Sequence, residues 1–158
     1  MYRKISVGDE ELLFTHRHQE AFQKSDSVLL DTRLKAEQHI ADAQHRFIKT
    51  GVYGLMLTTS QHLIETRTLL NVPSSLKALT TGRLLKHIIQ ANATRLILVC
   101  SNPAGELNLP EAQRQEASRI KYTLLEFSLW LDDVFIVNKP TGKPDRMKLT
   151  SLASMGVI

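Results

Sequence analysis

The apolar positions of this chain change rhythm several times, and each change marks a structural element. Residues 1 to 30 show little periodicity apart from the cluster Leu12-Leu13-Phe14, and read as an N-terminal arm whose cluster contacts the core. From there Leu34, His39-Ile40, Ala43 and Phe47-Ile48 recur at helical intervals, with Asp31-Thr32 as N-cap and Gly51 as stop. The run VYGLMLTT (52–59) then has the length of a strand, and HLIETRTLL (62–70) alternates after a tight turn at Ser60-Gln61. Strict alternation puts Leu63, Glu65, Arg67 and Leu69 on one face and His62, Ile64, Thr66, Thr68 and Leu70 on the other, so the two runs form a hairpin.

Past Pro73, Leu84, Leu85, Ile88 and Ile89 mark a helix over 80–92, capped by Thr80 or Thr81. TRLILVC (94–100) is a nearly continuous apolar run, as expected of a strand buried on both faces. A polar loop follows, and Pro110-Glu111 opens a helix to about Ser128, with proline in its first turn. Leu124, Leu125, Phe127 and Trp130 are expected in the core, LDDVFIVN (131–138) as another buried strand, and the tail as a short strand or turn with a helical piece. The order β-β-α-β-α-β predicts an α/β fold, a three-layer α-β-α sandwich around a mixed sheet.

Composition changes this picture little. The 158 residues suit one domain, residues 31–158, behind the arm, and 42% apolar with 23% charged is ordinary for a soluble chain. The single cysteine excludes an internal disulfide and fits a reducing, cytoplasmic setting, and no apolar run has the length of a membrane span. The net charge of +4 is spread among 16 acids, so it permits weak, nonspecific attraction to nucleic acid without defining a site.

Candidate chemistry concentrates in VCSNPAGE (99–106), a loop beyond the carboxyl end of a central strand, where α/β folds place ligands. Its Asn-Pro-Ala-Gly core is also an ordinary turn. Cys100 acts as a nucleophile only if a base and a cation are brought to it, and otherwise fills space as a small apolar group. Cys100 and Glu106 supply two metal donors at most. His16 and His18 form a pair with no third ligand nearby, His39 and His45 lie on different helix faces, and His62 and His87 are isolated.

Read together, YGLMLTTSQHLI, GRLLKHIIQANATRLILV, CSNPAGELNLPEAQ, LDDVFIVN and SLASMGVI resemble, in order, the hairpin, helix and strand, metal loop, later strand and ending of the RadC-family JAB/MPN domain. The resemblance implies the JAB/MPN architecture, which is cytidine-deaminase-like, and in active members a zinc ion held by two His and one Asp, a Glu base and a Ser at the oxyanion. Carried over by position, the ligands fall on Cys100, Asn102 and Gln113, the Ser on Pro110, and the Glu on Arg67 or Thr68, with Glu65 a nearby acid; Pro103, Gly105 and Glu106 keep the turn. Neutral amides and a proline do not replace a three-ligand zinc cage, and without metal no water is acidified toward neutrality. The expectation is therefore a pseudoenzyme with no cofactor, working through a protein partner or self-association. The family's name implies a DNA-repair or mobile-element setting. Residues 1–30 are too few for the helix-hairpin-helix region of full-length relatives, so phosphate contact would fall to Arg33, Lys35, Lys139, Lys143, Arg146 and Lys148. The alternative is an enzyme of changed chemistry, a zinc-independent, Cys100-dependent hydrolase or transferase.

Overall fold

A computed structural model describes residues 27–47, 49–71, 76–101, 111–138 and 148–158. Helix α1 (Arg33–Asp42) begins where expected: the Thr32 hydroxyl accepts from the Lys35 N–H and satisfies one of the free donors of the first turn. It ends earlier than the sequence predicts. Ala43 closes it, and a separate 3-10 turn (Gln44–Phe47) follows. Ala36 and Ile40 are its buried residues, whereas Leu34 is 69% exposed and is no core position.

Gly51 stops nothing; it opens strand β1 (Gly51–Leu57). A Cβ there would collide with the Leu70 carbonyl oxygen, so only glycine permits this close approach of two backbones. β1 pairs antiparallel with β2 (Leu63–Leu70), and the turn between them is closed at Gln61, which takes the left-handed conformation with φ 67°.

Two irregularities break the predicted alternation of β2. Met56 pairs with Glu65 and Leu57 with Leu63, leaving Ile64 extra; Tyr53 pairs with Thr68 and Val52 with Leu70, leaving Leu69 extra. Each inserted residue reverses the facing of the residues beyond it. Glu65, Arg67 and Leu69 share a face as predicted, but Leu63 joins the opposite one and Leu70 joins theirs.

Helix α2 (Thr81–Ala91) has Thr80 as its cap and ends at Asn92 in the left-handed conformation. β3 (Arg95–Ser101), α3 (Glu111–Glu126), β4 (Trp130–Asn138) and β5 (Lys148–Ser151) complete the described chain. The sheet order is β2-β1-β3-β4-β5, with only β3 and β4 parallel. Successive side chains of β1, β3 and β4 therefore feed two cores. Val52, Met56, Leu98 and Ile136 meet Leu84 and Ile88 of α2 and Ile120 and Leu124 of α3. Tyr53, Leu55, Val99 and Phe135 meet Ala36 and Ile40 of α1 and Phe47 of the 3-10 turn. Helices cover both faces, so the three-layer α-β-α sandwich with a mixed sheet is the observed fold.

Three residues expected in the core lie outside it. Leu125, Phe127 and Trp130 are exposed, because among the described residues it is the Ala117-Ile120-Leu124 stripe of α3 that faces the sheet, and β4 begins at its rim.

Candidate functional site

Cys100, near the carboxyl end of β3, stands beside Val52 of β1 and Ile136 of β4 and faces the core beneath α2 and α3. Burial pushes its thiol up to about 12. Its neighbour Ser101 faces the other way and donates to the Phe47 carbonyl, pinning the 3-10 turn to β3.

The two positions that could correspond to the catalytic Glu separate cleanly. Arg67 pairs with Gly54 and reaches α2 on the Cys100 face; Thr68 pairs with Tyr53, whose ring lies in the core beneath α1. Thr68 therefore lies on the α1 face of the sheet, and Arg67 on the face that Cys100 shares. Its Nη1 donates to the His87 carbonyl and to Gln90 Oε1, both at 3.1 Å, and its Nε lies 3.0 Å from Glu65 Oε1. A cation at the carboxyl end of α2 also opposes the negative end of that helix. His87 stands 3.3 Å from the same guanidinium, and its imidazole is held below the ordinary value by burial first, then by the charges of Arg67, Lys86 and Arg83.

Gln113, in the first turns of α3, accepts the Leu76 N–H at 2.7 Å through Oε1 and so ties α3 to the 3-10 turn Leu76–Ala78. Asn102, Glu106 and Pro110 lie outside the described residues, as do His16, His18, Lys139, Lys143 and Arg146. His39 sits in the last turn of α1 and His45 in the 3-10 turn.

A family model described as RadC-like JAB domain matches residues 31–156. The chain belongs to the RadC-like JAB domain family. No curated protein matches it.

The donors this JAB domain presents can now be tested against the zinc ion of active relatives. Gln113 offers a neutral amide oxygen that already accepts a backbone N–H, Cys100 packs against the apolar core, and the Arg67 guanidinium on the same face repels a cation. These side chains do not fit zinc.

Sequence reasoning missed the polar cluster at the opposite end of β3 and β4. Arg95 Nη1 lies 2.7 Å from Asp132 Oδ1, its Nε donates to the Thr59 carbonyl, and its guanidinium sits 5.0 Å from the centre of the Trp130 ring. Gln61 donates to the second Asp132 oxygen. Next to it, Asp133 is 6% exposed; it accepts from the N–H groups of Val134 and Ala153 and from the Ser151 hydroxyl. A cavity of about 400 Å³ borders this cluster, lined among others by Asp31, Arg33, Gln61, Asp132, Asp133 and Ser154. The signal was available: an Asp-Asp pair opening an apolar strand puts one carboxylate inside, where it needs donors.

Proposed function

We propose that this RadC-like JAB domain works by protein contact and not by zinc-dependent hydrolysis. The observation that carries the reading is Arg67. Where active relatives hold a general base, this chain holds a cation bound to a helix end and to Glu65, and such a group neither accepts a proton from water nor tolerates a divalent ion beside it. The same reading keeps the domain in the cytoplasm, which its single cysteine suits, and in a DNA-repair or mobile-element setting, which the family name suggests. Among the described residues no helix is long and apolar enough to cross a membrane.

Direct nucleic-acid contact is a minor part of the proposal. Arg33 and Lys35 are engaged by Glu37 and Asp31, so their charges are already partly balanced. A Cys100-dependent enzyme is disfavoured by a thiol that stays protonated far above neutral pH.

The test is metal analysis of protein purified without chelators, together with an isopeptide and peptide hydrolysis assay with added zinc. The expected result is sub-stoichiometric zinc and no hydrolysis. Stoichiometric zinc with turnover that chelators abolish would overturn the reading.

A further inference from the structure

β2 is an outer strand of the sheet, and among the described residues its outer side is met only at its start, where Leu29 bridges His62 and the Leu63 N–H donates to the Val28 carbonyl. Beyond that point, as far as the described residues go, the strand offers a row of backbone donors and acceptors, the arrangement that templates pairing with another strand. Between the two extra residues, Ile64 and Leu69, runs a regular stretch, Glu65-Thr66-Arg67-Thr68. Its charges are symmetric about Thr66.

We propose that a second copy of this chain pairs antiparallel along this edge, with the two-fold axis at Thr66. In that register Glu65 stands opposite the copy's Arg67, Arg67 opposite the copy's Glu65, and Thr66 opposite Thr66. Directly opposed residues of antiparallel strands share a face, and opposite charges and Thr–Thr pairs stabilise them. The contact is isologous, as closed homodimers require.

Neighbouring registers are worse. An axis at Arg67 opposes two guanidinium groups, and an axis at Glu65 opposes two carboxylates. An axis between residues 66 and 67 would oppose residues that lie on different faces of the sheet, which a regular antiparallel pairing does not allow. The side chains are also already in place: Arg67 is fixed on α2 and lies against Glu65, with the two side chains 27% and 42% exposed. A second copy extends this pair into a four-membered ladder of alternating charge, with little further ordering of Arg67.

This inference deepens the protein-contact reading. It is tested by sedimentation equilibrium of the full chain across the micromolar range, with far-UV circular dichroism confirming that each variant is folded. The wild type is expected to dimerise. Glu65→Arg places arginine opposite Arg67 and is expected to weaken the dimer at least about tenfold; Arg67→Glu sets carboxylate against carboxylate and does the same. Mixing the two variants restores opposite charges at both pairs, so a heterodimer is expected where each alone is monomeric. A monomeric wild type, or a Glu65→Arg dimer as tight as wild type, overturns the proposal, and the second result holds even if Arg67→Glu fails to fold. A monomer would leave the protein-contact reading standing, whereas zinc-dependent turnover would overturn that reading and leave the edge untouched.

Discussion

The two ends of the central strand pair β3–β4 use polar groups for opposite purposes. At the amino end two sets of bonds lie side by side: Asp132 takes Arg95 and Gln61 and ties the hairpin turn to β4, while Asp133 takes the Val134 and Ala153 N–H groups and the Ser151 hydroxyl and ties β4 to the C-terminal turn. At the carboxyl end of β3, where active JAB domains gather donors around an ion, the described groups turn away to separate structural partners: Arg67 to α2, Gln113 to Leu76, Ser101 to Phe47. A functional site needs donors left free and convergent. The comparison teaches that the described groups at the carboxyl end act as separate joints between elements, whereas each amino-end carboxylate gathers several donors at once.

The largest effect is expected from removing the buried carboxylate of the pair, Asp133. Asp133→Ala removes the acceptor of the Ser151 hydroxyl and of the Val134 N–H, both buried, and of the Ala153 N–H at the exposed turn, and each enclosed group left without a partner costs about 1–3 kcal/mol. Urea denaturation is expected to show a loss of roughly 3 kcal/mol, with the C-terminal turn exchanging its amide hydrogens first. A loss below about 0.5 kcal/mol would show that Asp133 is no joint.

The same measurement on Gln113→Ala sharpens the contrast. Only the Leu76 N–H loses its partner, and it is partly reachable by water, so about 1 kcal/mol is expected. If Gln113→Ala instead destabilised as much as Asp133→Ala, the single Gln113 joint would hold the fold as firmly as the buried carboxylate.

Much of this arrangement is legible in the sequence, for identifiable reasons. The helix starts at Thr32 and Thr80 are local events, a hydroxyl bonded to an N–H three residues on, and local events are written in adjacent residues. β3 and β4 betray double-sided burial by unbroken apolar runs. The failures are positional. Leu63 and Leu70 lie on other faces than alternation predicts because two extra residues in β2 depend on how β1 meets it, and the faces of Arg67 and Thr68 follow from the same register. Gly51 looked like a helix stop because its reason, the Leu70 carbonyl, is far along the chain. Asp133 and Ser151 meet across eighteen residues, a pairing that no spacing rule announces. At the candidate site the swapped residue types were plain to read, whereas what each side chain does in place of ligation required the partners themselves.

The smallest effect separates the two readings of Cys100. At neutral pH Cys100→Ala is expected to cost about 1 kcal/mol or less, since one sulfur against the core is lost. The informative variable is pH. The thiol ionises near 9 in the unfolded chain and near 12 in the folded one, so below pH 9 both states hold the proton and its burial is neutral with respect to pH. Above 9 the unfolded state releases the proton and the folded state does not, so stability falls as pH rises through that window. Cys100→Ala removes this slope, and the variant is expected to gain on the wild type steadily between pH 9 and the onset of general alkaline unfolding. A thiol reagent at about pH 8 is expected to modify native protein far more slowly than unfolded protein, because the reactive species is the thiolate. Fast modification of the native thiol, with no alkaline slope, would mean a lowered pKa and would restore the carboxyl end of β3 as a place of chemistry.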